Sequence, residues 1–163
     1  MRGINPLLII LTVLGQFVYA SLPTQNNCSA FWREVDWKIV PFIEVNAKYF
    51  SYQFKIPAGK KIQFHVDGRF PIARYMSFHV YDQLTENPIS RLTDIFVPPT
   101  EGSNNPYLPG VDRYSTQRNY SFTIPQSSSN LSPEEQNLWI PFDPAKEQLL
   151  DIWFRVYVSE EKE

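Results

Sequence analysis

The sequence predicts a mainly β protein: an antiparallel β-sandwich or jelly roll with one or two short helical turns near its C-terminus. Several short segments alternate apolar and polar residues with the period of two that is typical of strands. Aromatic residues make up 15% of the chain, and it contains 14 prolines, a residue excluded from helix interiors and central strands. The composition therefore indicates many short strands joined by rigid turns.

Length and charge narrow the possible functions. The chain has 163 residues, which is enough for one domain that buries its own core. Hydrophobic residues make up 43% and charged residues 20%, a balance typical of globular proteins. The net charge is −2 and no basic stripe is present, so the sequence lacks the electrostatic signature of a nucleic-acid-binding protein.

Residues 1–20 have the features of a signal peptide. Arg2 supplies the positive start, and an apolar run extends from Leu7 to Leu14. Val18 and Ala20 stand at the −3 and −1 positions of a cleavage site after residue 20. We therefore expect a secreted or periplasmic protein.

A membrane anchor is the alternative interpretation of this segment. Gly15 and Gln16 interrupt the apolar run, which is shorter than the roughly 20 residues that a membrane span needs. We expect no stable membrane span after cleavage. The rest of the chain is then divided into a flexible N-terminal segment (21–30), a single β-sandwich domain (31–158) and a charged tail (159–163).

Cys28 is the only cysteine, so the chain cannot form an internal disulfide. The thiol is either buried, unpaired near the N-terminus, or paired between chains. No His, Lys or Arg stands beside it to favour a reactive thiolate, so we assign it no catalytic role. Three glycosylation sequons, which matter only in a eukaryotic source, begin at Asn27, Asn119 and Asn130.

The longest strand pattern runs from Phe70 to Asp82, and Pro71 suits its first position, where no ladder donor is needed. Because side chains alternate between faces, this segment presents two different surfaces. The surface expected toward the core carries Ile72, Arg74, Met76, Phe78 and Val80. The other surface carries Ala73, Tyr75, Ser77, His79 and Tyr81. Tyr and His have apolar bodies and polar tips, so this second surface is expected to be half-covered, and a strand used on both faces is usually internal to a sheet. The second face is either covered by loops of the sandwich or forms one wall of a ligand groove.

Other segments complete the predicted sandwich. The remaining predicted strands are Trp37–Val40, Lys48–Ile56, Lys61–Val66, Arg91–Val97, Arg118–Ile124 and Leu149–Val158. We interpret the first three as a meander that leads into the central strand through a turn at Asp67-Gly68. The predicted helical turns begin at Ser132, in a capping-box pattern, and at Asp143-Pro144. The connection from Thr100 to Gln117 is long for a compact domain, and we expect it to form an ordered flap.

Catalytic patterns are weak. His65, Asp67 and His79 are possible metal ligands, but the expected hairpin separates the two histidines by about 20 Å. Ser77 and His79 share a face at about 6–7 Å, beyond hydrogen-bond reach unless their side chains lean together. The sequence contains no nucleophile elbow, P-loop or dinucleotide fingerprint. We therefore predict no catalytic residues, no metal and no cofactor.

Two arginines stand among bulky apolar neighbours. Arg74 and Arg155 each occupy a predicted strand, and a buried guanidinium needs a carboxylate partner. We predict at least one Arg–Asp ion pair that joins a strand to a loop. The alternative is an arginine that extends to solvent at the rim. The candidate carboxylates are Asp82, Asp94 and Asp112.

Three sequence pieces support a family resemblance. They are Gly68-x-Phe70-Pro71-x-Ala73-Arg74-Tyr75-Met76-Ser77-Phe78-x-x-Tyr81-Asp82, Leu92-x-Asp94-x-x-x-x-Pro99 and Gly102-Ser103-x-Asn105-Pro106. Together they resemble an uncharacterised family of secreted and bacterial β-rich proteins, and the ending Trp153-Phe154-Arg155-Val156-Tyr157 is similar to the closing strand of jelly-roll-like domains of unknown function. The resemblance covers about residues 45–158. It implies the fold and an extracytoplasmic setting, and no activity.

The favoured function is non-enzymatic binding of a sugar or another small molecule. Aromatic faces with hydroxyl tips suit such ligands. Two alternatives stay open: a jelly-roll enzyme, either a hydrolase or metal-dependent, and a structural module that binds a partner protein, with Cys28 as the candidate contact. The predicted binding surface is Tyr75, Ser77, His79 and Tyr81, covered by the loop that contains Asn104 and Tyr107.

Overall fold

The computed structural model describes residues 32–36, 44, 46–127 and 137–159. Over these residues the protein is mainly β, with antiparallel sheets that form a β-sandwich, as the sequence predicts. A short 3₁₀ helix spans Asp94–Phe96. The strands are β1 (Arg33–Glu34), β2 (Ala47–Ile56), β3 (Phe64–Arg69), β4 (Ala73–Asp82), β5 (Pro88–Thr93), β6 (Asn119–Ile124), β7 (Gln126–Ser127), β8 (Ile140–Pro141) and β9 (Gln148–Ser159).

The larger sheet has five strands in the order β1-β2-β9-β4-β5, and each neighbouring pair is antiparallel. β3 and β6 form a second, two-stranded antiparallel sheet, and β7 pairs with β8 in parallel. β9 lies at the centre of the larger sheet because it pairs along its length with both β2 and β4. β4 lies between β9 and β5, which confirms the predicted internal position of the strand around residues 73–82.

The predicted meander is wrong. β2 pairs with β1 and β9, whereas β3 pairs with β6 in the other sheet. Asp67 and Gly68 lie inside β3, opposite Ser121 and Tyr120, and form no turn. β2 and β4 each pair with β9, which comes from the far end of the chain, and neither forms a hairpin with β3, the strand between them in the sequence.

Several predicted boundaries also differ. The strand expected at 91–97 begins at Pro88 and ends at Thr93, where the 3₁₀ helix follows. Asp143 accepts hydrogen bonds from the backbone amides of Ala145 (2.8 Å) and Lys146 (3.1 Å), which makes a bend rather than a helical turn. The predicted strand Trp37–Val40 and the helical turn from Ser132 lie outside the described residues.

The core lies between the larger sheet and the β3–β6 pair. Phe78 of β4 is at its centre: its ring stacks on Phe154 of β9, with centroids 4.8 Å apart. Edge-to-face contacts join the same ring to Phe122 (5.1 Å) and Tyr120 (5.9 Å) of β6. The predicted inward faces of β6 and β9 are thereby confirmed, as is that of β4 from Met76 to Val80. Arg74, expected on the same face of β4, is exposed, and Ala73, expected on the other, is buried. Other buried members of the core are Ile56, Phe70, Met76, Val80, Ile124, Ile140, Leu150 and Ile152.

The connection between the 3₁₀ helix and β6 is held by one buried amide. The Asn105 side-chain nitrogen donates to the backbone carbonyls of Asp94 (2.7 Å) and Val97 (3.0 Å). Its side-chain oxygen accepts a bond from the backbone amide of Tyr107 (2.9 Å). Because Asn105 is buried and these bonds satisfy it, they fix the loop to the end of the 3₁₀ helix.

Candidate functional site

The outer side of the larger sheet carries a cluster of polar and aromatic side chains. Alternation along the strands places odd-numbered residues of β2, β4 and β9 on this side, opposite the core. Cross-strand pairing sets Tyr75 beside Tyr157, Ser77 beside Arg155, His79 beside Trp153 and Tyr81 beside Asp151. We call this cluster the aromatic face: Tyr49, Tyr75, Ser77, His79, Tyr81, Asp151, Trp153, Arg155 and Tyr157.

Four predicted site residues meet on the aromatic face. Tyr75, His79 and Tyr81 are half-buried there, as the sequence predicts for a half-covered surface. Ser77 differs, because it is 0% exposed. Its hydroxyl can support a neighbouring side chain but cannot itself reach a ligand.

The other two predicted site residues lie elsewhere. Tyr107 packs against the core through Phe70, with ring centroids 6.1 Å apart, and donates a hydrogen bond to the Pro71 carbonyl (3.0 Å). The Asn104 amide bonds to the Gln117 carbonyl (2.9 Å), in the loop that Asn105 anchors. The loop therefore packs on the core side of the sheet, and the expected cover over Tyr75–Tyr81 is wrong.

Arg155 is the centre of the aromatic face. Its guanidinium carbon lies 5.6 Å from the ring centroid of Tyr81 and 5.8 Å from those of Tyr49 and Trp153. One terminal nitrogen also donates a hydrogen bond to the Tyr81 hydroxyl. Attraction between a cation and an aromatic ring contributes roughly 0.5–2 kcal/mol, more as water is excluded. The rings thus hold the guanidinium in place without a carboxylate.

The predicted Arg–Asp ion pair is absent from the contacts of the described residues. Asp82 accepts bonds from the amides of Leu84 (2.9 Å) and Thr85 (2.8 Å), which closes a turn. The Asp94 carboxylate accepts one from the Ile95 amide (2.8 Å). The two carboxylates that were expected to bind the arginines therefore accept hydrogen bonds from backbone amides instead. Arg74 is exposed, in agreement with the alternative of an arginine at the rim.

The rings of the aromatic face also support one another. Tyr75 and Tyr157 meet edge to face with centroids 5.4 Å apart, and Tyr81 and Trp153 do so at 6.0 Å. The Tyr49 hydroxyl donates to that of Tyr157 (3.1 Å), and burial together with this bond raises the pKa of Tyr49 to about 12. The site is therefore a connected layer of rings with polar tips.

His79 is held neutral on this face. Its Nε2 lies 3.1 Å from the Ser77 hydroxyl, so the two side chains do lean together. Burial, with repulsion from Arg155 and Arg91, lowers the pKa of His79 to about 3. A nucleophilic Ser–His pair would need an accessible hydroxyl, and Ser77 is fully buried. The contact therefore orients the imidazole, and the Ser77 hydroxyl has no surface accessible to a substrate.

Asp151 is the acidic member of the aromatic face. It is buried, and the Gln53 side-chain amide donates to its carboxylate at 3.4 Å. Burial raises the pKa of Asp151, and hydrogen bonds from Trp153 and Gln53 oppose that shift. The carboxylate consequently lies under the face rather than at its surface.

The candidate metal ligands are not brought together. His65 and Asp67 lie 3.1 Å apart on β3, at Nε2 and a carboxylate oxygen, whereas His79 belongs to the other sheet. Across the part of the chain that the structure describes, no group of three or more His, Cys, Asp or Glu side chains could hold a metal ion. In the same residues no helix is long and apolar enough to cross a membrane.

A concavity lies on the core side, away from the aromatic face. It measures about 220 Å³ and opens between the larger sheet and the β3–β6 pair. Apolar and aromatic side chains make up most of its wall, with one carboxylate at Asp67. We call it the apolar cleft: Trp32, Phe50, Val66, Asp67, Phe78, Tyr120 and Phe154.

Fold and site together define a β-sandwich with an aromatic, arginine-centred outer sheet face. No protein family model, curated protein or solved structure matches this chain. The resemblance to an uncharacterised family consequently stays an expectation.

The neutral state of His79 gives a testable pH dependence. Because its pKa is about 3 in the folded protein and 6.5 in an unperturbed chain, the unfolded state takes up the proton first as pH falls. Its contribution to stability is therefore full above pH 6.5 and declines progressively toward pH 3. We expect the melting temperature of the wild type, relative to His79→Gln, to fall between pH 7 and pH 4.

The variant isolates His79 from other titrating groups. Arg155 and Arg91 repel the imidazolium of His79. Asp94 and Asp151 have raised pKa values, so their pH dependence has the opposite sign: the stability that they contribute declines as pH rises above 3.8. The aspartates are present in both proteins, so their effect cancels in the difference. A difference in melting temperature that stays constant across this pH range would contradict a neutral, shielded His79.

Proposed function

We propose that the protein is a secreted, non-enzymatic binding domain whose aromatic face holds a sugar or a similar small polar ligand. The observation that carries the proposal is the guanidinium of Arg155 over the rings of Tyr81 and Trp153. The ring pairs Tyr81–Trp153 and Tyr75–Tyr157 extend this layer along the same face. Ring faces suit the C–H surfaces of a sugar, and hydroxyl tips suit its polar groups.

Preorganisation also supports binding at this place. The ring contacts and the Arg155–Tyr81 hydrogen bond exist before any ligand arrives. Binding therefore immobilises few additional side chains, which lowers its entropic cost. Tyr75, His79 and Tyr81 are half-buried and so retain surface for contact.

Secretion and the jelly-roll form belong to the same proposal. The signal-peptide pattern of residues 1–20 and Cys28 lie outside the described residues, so export rests on the sequence alone. Binding of a partner protein through Cys28 is a second candidate, and it too rests on the sequence alone. The enzyme alternative has one structural support, the Ser77–His79 contact, and the burial of Ser77 weighs against it.

The test is a saturation-transfer NMR screen of neutral and acidic mono- and disaccharides against residues 21–163. Tyr75→Ala/Tyr81→Ala is expected to weaken any sugar found by at least about tenfold, which corresponds to roughly 1.4 kcal/mol. Tyr114→Ala is the matched control, because Tyr114 is exposed in the loop before β6. Circular dichroism verifies that both variants are folded. Equal affinity of the double variant and the wild type would place the ligand elsewhere.

A further inference from the structure

Positive charge on the outer sheet face lacks a matching anion. Arg155 lies in the middle strand, and Arg91 of β5 stands in register with His79, so both arginines share this side of the sheet. Neither makes an ion pair with a carboxylate among the contacts of the described residues. Asp151 is the acid of the aromatic face, and it is buried with Gln53 as its partner.

The guanidinium of Arg155 has unused donors. It carries five N–H groups, and one terminal nitrogen donates to Tyr81. Its Nε is buried and has no hydrogen-bond partner within the described structure, so it adds to the cost of burying the charge, and contact with a ligand falls to the terminal nitrogens. A partly desolvated guanidinium is costly without an anion, and its planar fork matches the two oxygens of a carboxylate or sulfate.

The surroundings favour an anion over water at this position. Tyr49, Tyr81 and Trp153 shield the guanidinium, and a shielded charge attracts an anion more strongly than one in open solvent. The exposed pair of Lys55 with Glu147, at 2.9 Å, is neutral overall. Arg33 of β1 is in register with Ser51 and adds a further exposed cation on this side, whereas Asp151 is buried. Positive charge therefore predominates on the accessible part of the face.

We propose that the ligand of the aromatic face carries an oxyanion, a carboxylate or a sulfate, which Arg155 binds at short range and Arg91 attracts from the rim. This inference rests on the proposed function and names the ligand class: an acidic sugar. The ring layer contacts the sugar body while the guanidinium fork takes the anionic group. Because Arg155 is already fixed by three rings, little ordering cost accompanies the contact.

The experiment compares three probes by isothermal titration calorimetry with residues 21–163. They are a glucuronic-acid-containing disaccharide, its glucose counterpart and the glucose counterpart with a 6-sulfate. The wild type is expected to bind at least one acidic probe ten or more times tighter than the neutral one at low salt. The part of the preference that comes from the exposed Arg91 should shrink as sodium chloride is raised, because salt screens exposed charges over about 10 Å at 0.1 M. The two acidic probes distinguish carboxylate from sulfate.

Variants assign the preference to the arginines. Arg155→Met is expected to abolish it, and Arg91→Met to reduce it while leaving the ring layer intact. Arg74→Met is the matched control, since Arg74 is exposed on the opposite side of β4. Arg91 is exposed as well, so Arg91→Met tests whether positive charge on this face attracts the anion even if Arg155→Met fails to fold.

The outcomes separate the two proposals. Equal affinity for neutral and acidic probes overturns the oxyanion inference and leaves the binding domain standing. A preference that Arg155→Met and Arg91→Met both retain also overturns the inference, because the anion would then bind at another place. Absence of binding by all three probes contradicts the oxyanion inference and the sugar proposal together.

Discussion

Phe78→Ala is expected to lower the free energy of unfolding by about 3–5 kcal/mol. Phe78 is 1% exposed, and its ring contacts Phe154, Phe122 and Tyr120, which come from both sheets. Truncation removes the buried ring and leaves a cavity that these neighbours cannot fill, because strands of two sheets hold their positions. The loss is a large part of the roughly 5–15 kcal/mol that stabilises a domain.

Urea unfolding followed by circular dichroism measures this effect. Phe96→Ala is the matched control, because Phe96 is 51% exposed at the 3₁₀ helix. Its cost is expected to stay within about 0.5 kcal/mol, as for most surface substitutions. Similar midpoints for the two variants would mean that Phe78 is not at the centre of the core.

Gly68→Ala is expected to destabilise the fold by about 1–3 kcal/mol or more, as overpacked sites do. A β-carbon at Gly68 would overlap the Tyr120 hydroxyl oxygen and the adjacent ring carbon, and it would lie 2.9 Å from a second ring carbon. Tyr120 cannot move aside, because it is 6% exposed and packs against Phe70 with centroids 5.1 Å apart. The ring of Tyr120 thus covers the glycine that faces it on β3.

A double-mutant cycle with Tyr120→Leu attributes the cost to this clash. Leucine is shorter than tyrosine and lacks the atoms nearest the new β-carbon. The combined variant is therefore expected to be more stable than the sum of the single effects, by roughly 0.5–3 kcal/mol. Thermal unfolding of the four proteins gives the coupling. Strict additivity would show that Gly68 is required for another reason.

Alternation along single strands was predictable from the sequence. The inward positions of β4, β6 and β9 follow from a period of two, and Phe78, Tyr120 and Ile152 occupy the core as expected. The same alternation placed Tyr75, His79 and Tyr81 together on the outer face. Such features depend on residues a few positions apart, so the local pattern determines them.

Pairing between distant strands was not predictable in the same way. β9 inserts between β2 and β4, and no turn signal marks an insertion from the far end of the chain. Gly68 was therefore interpreted as a turn residue, although it makes room for the Tyr120 ring. The same pairing brings Tyr49 and Trp153 to Arg155, so aromatic partners replaced the predicted carboxylate.

The loop prediction was wrong for a related reason. The segment with Asn104 and Tyr107 is ordered, but its position depends on the buried amide of Asn105 and its bonds to Asp94 and Val97. Pro and Gly residues around the segment indicate turns, but they do not indicate on which side of the sheet the loop packs. Which side of the sheet a long loop covers is decided by such long-range hydrogen bonds.

Chemical-shift mapping of ¹⁵N-labelled protein, residues 21–163, during titration with the glucuronic-acid-containing disaccharide tests the binding face most directly. The expected result is a set of shifts concentrated on β4 and β9, including the amides of Tyr75, Tyr81 and Tyr157 and the indole N–H of Trp153. The contradicting result is a set confined to the apolar cleft, at Trp32, Phe50 and Val66, or no shifts at all.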